Sequence, residues 1–327
     1  VKLLTKVQIG KETTAGTAVA ATAIWRGLGV LEDQREVVHV DENVGYLSRV
    51  NRTNIPKLQG AITTEGDATF EHLGYILTAG VKAVTSGSTD TGGSGKIYAY
   101  PFPTTTPNTI TSETIEGGDN QQAYEMEYAF VESFTLSGAG GEAVKVSANY
   151  IGRQVSSSTF TNLSLATVES INFGKGKLYI DAVSGTAGTT QVTNTFLDFK
   201  LDVKTGWQPV YTGDGNKYFS FPKNVGPELM LDVTFEHDDT GEARWDDMIA
   251  ETPKQIRMVF QGAALTTAGA TYAYKSLVID MVGKVEKIAR GDKDGNNTVT
   301  ATFRGAYDPT CAKFATITVV NQNATLA

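Results

Sequence analysis

The chain has 327 residues, 40% of them hydrophobic and 20% charged, with a net charge of −8 at pH 7. That length fits two domains of about 150 residues, each able to bury a core, and the composition excludes a disordered chain. The acidic balance, present in both halves, argues against a tight nucleic-acid binder, which needs clustered Lys and Arg to displace counterions.

In chain order, Val7 to Ile9 is a first short strand, followed by a soft Thr/Ala/Gly run and the apolar segment Trp25 to Leu31. Residues 35–58 form a polar stretch too long for a plain hairpin loop, and such loops in a compact domain are functional or mobile. Asp67-Ala68-Thr69-Phe70-Glu71-His72 alternates polar and apolar positions, as a half-buried strand with an acidic face does. It recurs as Asp232-Val233-Thr234-Phe235-Glu236-His237. An amphipathic helix is expected after each copy: Leu73, Ile76 and Leu77 after the first, and Trp245, Met248 and Ile249 after the second. Asp239 and Glu242 resemble a capping box, and Pro253 is a stop.

Residues 85–95 read as a flexible loop, and Tyr98 to Pro107 as an edge segment. Alternating strands are expected around Phe130, Phe134 and Leu136 and over Val144 to Tyr150, with Gly138 to Gly141 between them. A Ser/Thr linker covers 153–168. Then come Phe173 to Asp181, the alternating Leu197 to Lys204, and a second long aromatic and polar stretch, Trp207 to Asn224. Ile256 to Gln261 and Leu277 to Ile288 are further strands, and a turn at Asp292 to Asn296 leads into Thr298 to Arg304. The ending repeats too: Val146 to Gly152 matches Val299 to Gly305. Two matched blocks in one order predict a tandem duplication, with domains 1–155 and 156–327.

Candidate chemistry is thin. Asp292-Lys293-Asp294-Gly295 opens like a calcium loop, but Phe303 stands where the bidentate Glu belongs, and Gly295 comes two positions early. Gly92 to Lys96 lacks the first Gly and the Ser/Thr of a phosphate loop. His39, His72 and His237 form no Cys/His cluster with zinc spacing, and adjacent Asp246 and Asp247 face different ways on a helix. Asn51-Arg52-Thr53 and Asn162-Leu163-Ser164 match the glycosylation pattern, but no secretory segment accompanies them. Neither a cofactor nor a catalytic constellation is expected, and the chain reads as no enzyme. Cys311 is the single cysteine, and no apolar run is long enough to span a membrane. The start Val1-Lys2 reads as a removed initiator Met and a protein assembled in a cytoplasm.

The opening Gly10-Lys11-Glu12-Thr13-Thr14-Ala15-Gly16-Thr17-Ala18, the long polar arm, the segment around Phe70 and the hairpin from Glu132-Ser133-Phe134 to Gly152 come in an order that resembles the major tail tube proteins of long-tailed bacteriophages. The resemblance implies β-sandwich domains, each with a flanking helix and a long loop, joined edge to edge in rings. The rings stack into a tube through which double-stranded DNA passes without specific binding. For a tandem pair, three chains would make a pseudo-sixfold ring. Implied partners are other copies and the tail terminator, tape-measure and distal tail proteins, and the implied location is the virion tail. Asp67, Thr69, Glu71, Asp232, Thr234 and Glu236 are then the expected lumen lining. Asp41, Tyr46, Arg49, Arg52, Trp207, Tyr211 and Tyr218 are the expected contacts between rings. A rival reading is a carbohydrate-binding β-sandwich module with Tyr98, Tyr100, Trp207, Tyr211 and Tyr218 as a sugar platform.

Overall fold

Period-two alternation sets most of the architecture, and the computed structural model, which describes residues 4–293 and 295–325, is mainly β. The first half holds β1 (Lys6–Lys11), β2 (Ala23–Ile24), β3 (Gly27–Asp33), β4 (Glu36–Asp41), β5 (Val50–Lys57) and β6 (Gly60–Asp67). It continues with α1 (Leu73–Gly80), β7 (Ser88–Thr89), β8 (Lys96–Pro101), β9 (Glu113–Gly118), β10 (Ala123–Ala139), β11 (Lys145–Gly152) and β12 (Val155–Ser158). The second half holds β13 (Gly176–Ala182), β14 (Gln191–Val192), β15 (Phe196–Lys204), β16 (Trp207–Val210), β17 (Phe221–Asn224) and β18 (Glu228–Glu236). After it come α2 (Asp239–Ile249), β19 (Lys254–Ala264), β20 (Tyr274–Lys293), β21 (Asn296–Gly305) and β22 (Ala315–Asn321). Val1, Lys2 and Asp294, which the sequence reading used, lie outside the described residues.

One antiparallel sheet runs through both halves in the order β3-β6-β11-β10-β15-β18-β21-β20. The join between halves is β10 against β15, with Leu136 opposite Leu201. The longest strands, β10 and β20, each serve two sheets. The N-terminal part of β10 pairs with β9 and β12, and that of β20 with β19 and β22. Behind the long sheet the first half stacks β2-β1-β9-β10-β12, and the second stacks β14-β13-β19-β20-β22-β8-β7. Strand β8 thus comes from the first half but completes a sheet of the second. One large apolar core, from Val7 and Ile9 to Ile317 and Val319, fills the sandwich and spans both halves.

Several local expectations change. Strand β6 ends at Asp67, and Ala68 to His72 are not a strand but a buried lead into α1. The reason is tertiary: Phe70 sits against Gly262, and its carbonyl accepts from Asn321 Nδ2 at 2.8 Å. Helix α1 is buried on every side rather than amphipathic. Helix α2 is capped by Asp238, whose carboxylate accepts from the Thr240 and Gly241 amides at 2.9 Å. Its Trp245 and Ile249 point to solvent, and only Met248 of the expected stripe packs on the core. The 85–95 loop is pinned rather than free: the buried Asp90 carboxylate accepts from the Tyr272 amide at 2.7 Å. In the Ser/Thr linker, residues 155–158 form β12 on β10, across the expected boundary at 155, and the Thr161 amide donates to Glu116 at 2.7 Å.

Candidate assembly surfaces

The long sheet has one face on the core and one open. Paired residues of an antiparallel ladder project to the same side, so the open face can be read row by row. Glu65, Ser147, Thr135, Asp202 and Met230 make one row, and Thr63, Asn149, Ser133, Lys204 and Glu228 the next. Hydrogen bonds stitch the rows: Thr63 Oγ1 donates to Asn149 Oδ1 at 2.8 Å, Asn149 Nδ2 to Ser133 Oγ at 2.9 Å, and Thr135 Oγ1 to Asp202 at 2.7 Å. Charges here are cross-paired. Lys200 meets Asp202 at 2.7 Å, Lys204 meets Glu228 at 3.0 Å, Lys293 meets Asp198 at 2.8 Å, and Arg304 meets Glu228 at 3.2 Å. Lys204, by hydrogen bond and by charge, holds the Glu228 carboxyl below its usual range.

Of the acidic set expected on this face, Asp67, Asp232, Thr234 and Glu236 stand there, with Asp232 accepting from Thr302 Oγ1. Thr69 and Glu71 do not: both are buried. Glu71 instead ties the halves together. Lys275 Nζ lies 2.7 Å from Glu71 and 3.3 Å from Glu169, and the Glu169 amide donates to Glu71 at 2.9 Å. Burial by itself would lower the Lys275 pKa, but the two carboxylates outweigh it and raise it. The face is therefore a Ser/Thr surface with compensated charge, where sequence alternation led to an acidic, polar one. The Lys/Asp ladder of β15, visible in Leu197 to Lys204, was the signal for this.

The two long stretches differ. Residues 36–57 form a separate β4–β5 hairpin, exposed almost throughout. Asp41, Tyr46, Arg49 and Arg52 are all exposed, Leu47 is wholly so at the hairpin tip, and Arg52 pairs with Glu42 at 2.7 Å. The β16–β17 hairpin folds back onto the first half. Trp207 is buried with Phe130, Ile151 and Phe219, and its Nε1 donates to the Gly80 carbonyl at 2.9 Å. Tyr211 remains partly exposed, donating to Gln59 at 2.8 Å, and Tyr218 lies near the Arg153 guanidinium. Trp207 is thus unavailable as an outer contact. The sugar platform does not form either, because Tyr98 and Tyr100 are fully buried, with the Tyr98 hydroxyl donating to the Asn323 carbonyl at 2.7 Å.

His72 is buried between Trp25 and Tyr75, and burial pushes its pKa down. His237 is exposed and 2.6 Å from Glu242. The two therefore have unlike surroundings.

Edge-to-edge joining was expected from the sequence, but not which strands form the free edges. Among the described residues β3 pairs only with β6, and the stretch of β20 beyond Gly283 pairs only with β21. Each therefore offers an open row of backbone donors and acceptors. Leu28 and Val30 on β3 are 74% and 73% exposed, unusual for apolar strand residues.

Free sheet edges, a polar sheet face and a projecting hairpin are the surface features of this mainly-β fold. The chain matches the model of the phage tail tube protein family over residues 3–305, so it belongs to that family and is a structural component of a phage tail. Among solved structures it is similar to the SPP1 tail tube, determined by solid-state NMR and cryo-electron microscopy. The identity is 11% and the TM-score 0.32, over 47% of this chain and 81% of that one. No curated protein sequence matches it.

Proposed function

We propose that copies of this chain join through their sheet edges into rings, that the rings stack into the tail tube, and that the open face of the long sheet lines a bore for DNA. The observation that carries this is the single sheet β3-β6-β11-β10-β15-β18-β21-β20, free at both ends and open on one polar face. A second copy can continue it at these free edges, as β10–β15 already continues it within the chain. The chain is then a tandem pair of tube domains, about 1–155 and 156–327, and three chains close a pseudo-sixfold ring. Supporting the tandem reading, the rows Leu31–Ile62–Tyr150–Val131 and Leu201–Leu231–Phe303–Val285 run alike, each followed by a bulge, at Glu132 and Glu286.

The β4–β5 hairpin, with Asp41, Tyr46, Arg49 and Arg52, reaches the next ring. Tail terminator, tape-measure and distal tail proteins meet the finished tube, and assembly takes place in the host cytoplasm. A bore of Ser, Thr and compensated charge offers phosphate no cationic groove to stop in. Negative-stain microscopy of the purified protein tests the reading: rings or tubes are expected, and a strict monomer at high concentration across several salt conditions overturns it.

A further inference from the structure

The joint within the chain carries the register of a joint the chain leaves open. In the rows above, Leu31 takes the place in its half that Leu201 takes in the other, and Val131 takes the place of Val285. Counting along the strands from those anchors, Leu136 on β10 corresponds to Arg290 on β20. Within the chain Leu136 faces Leu201, Thr135 faces Asp202 and Ser137 faces Lys200. The same offsets place Arg290 opposite Leu31 of another copy, Ala289 opposite Glu32 and Gly291 opposite Val30.

We propose that the free edge of β20 pairs antiparallel with β3 of a second copy in this register, through a joint held by charge. The inference rests on the ring reading above. The two edges carry opposite charge. Beyond Gly283, β20 carries Lys284, Lys287, Arg290 and Lys293 against Glu286 and Asp292, a net charge of +2, whereas Glu32, Asp33 and Glu36 against Arg35 give the β3 edge a net charge of −2, and all are exposed. The joint inside the chain is closed differently, by the buried cluster of Phe130, Ile151, Trp207 and Phe219. At the open joint the positions corresponding to Phe130 and Ile151 are Lys284 and Arg304, both exposed, and Val37 stands in place of Trp207. One joint is therefore a packed core, and the other is a backbone ladder flanked by ions. Because β20 of one copy meets β3 of the next, the contact is heterologous and generates a ring when its rotation closes. Ion pairs exposed at an edge are screened over about 8 Å at physiological salt, so the joint between copies weakens with salt while the joint within the chain does not.

The test is disulfide trapping of assembled full-length protein on a Cys311→Ser background. Ala289→Cys with Glu32→Cys should cross-link between chains at least tenfold faster than Gly291→Cys with Glu32→Cys, which is offset by two residues, about 7 Å along the strand. Lys284→Glu with Lys287→Glu should block ring closure, as should Glu32→Lys with Asp33→Lys, and combining all four should restore it. Rings that cross-link equally well or faster through the offset pair overturn the register and leave the ring reading intact. Rings untouched by the charge reversals overturn the ionic joint alone. If the protein forms no rings, both readings fall together.

Discussion

Two buried carboxylates show how burial and hydrogen bonding pull in opposite directions. Burial tends to raise Asp181, but donors from Thr189, Thr190 and Gly188 win and bring its pKa down to about 2. Its folded pKa lies below its unfolded value, so its contribution to stability is present above about pH 4 and is lost as pH falls toward 2. Asp181→Asn should cost about 1–3 kcal/mol near neutrality, and urea titrations at pH 7 and pH 2.5 should show the gap between variant and parent closing in acid. Glu113 goes the other way. Burial, reinforced by nearby Glu12, pushes its pKa well above the usual carboxylate range. The folded chain then keeps a proton that the unfolded chain releases, which costs stability as pH rises above about 4.5. Glu113→Gln should be more stable than the parent at pH 7, and the advantage should disappear near pH 4. A variant less stable at neutral pH would show that the neutral carboxylic acid makes contacts its amide cannot.

At the level of elements, the segment Ala68 to His72 matters because it locks the halves together. Removing Lys275 would leave Glu71 and Glu169 without their cation in a mostly buried place, and breaking such a pair costs about 3 kcal/mol or more. Lys275→Ala should therefore lower the urea midpoint strongly, and Lys275→Arg should recover part of the loss. The exposed hairpin behaves oppositely. Its β4–β5 ladder is separate from the other sheets, so deleting residues 40–54 should leave the unfolding midpoint nearly unchanged. Single rings should still form, and their stacking into tubes should fail. Tubes of normal length from the deleted protein, measured by electron microscopy, would reassign the hairpin.

For the whole molecule, one core spanning both halves predicts one cooperative transition. Strand β8 of the first half completes a sheet of the second through β22, and strand β10 hydrogen-bonded to β15 joins the long sheet, so the halves are knit together in both layers. Calorimetry should give a single peak, and residues 1–158 expressed alone should aggregate through the exposed edge of β10. Two resolved transitions would show that the halves melt separately. The bore makes a further prediction. Reversing Asp67, Asp232 and Glu236 to Lys should spare folding, because these positions are on the open face, yet slow DNA ejection from assembled particles, more so at low salt. Normal ejection at low salt would remove the lining role and leave the tube reading standing.

Alternation is a local property, and the sequence determined on its own whatever alternation controls. The mainly-β class, the strands around Phe134, Tyr150, Leu201 and Phe303, and the two long stretches at 35–58 and 207–224 were all legible. So was the family, from the order of its blocks. Tertiary structure decided where strands stop and which edges meet. Asp67 to His72 and Asp232 to His237 look alike as text, yet the first leaves the sheet at Asp67 because Gly262, Asn321 and Lys275 receive it, whereas the second runs on in β18 to Glu236. The sheet rows pair Asp67 with Lys145 and Glu236 with Thr298, so those two residues end equivalent runs, four positions out of step with the textual repeat. The fates of Trp207 and Tyr46 were equally hidden. Both sit in polar, aromatic stretches, but only one hairpin finds a first-half surface to cover, and that depends on contacts more than 50 residues apart in the chain. Period-two patterning says which side of a strand is wet. It carries no information on which strand lies next to it, because backbone hydrogen bonding between strands is indifferent to side-chain identity.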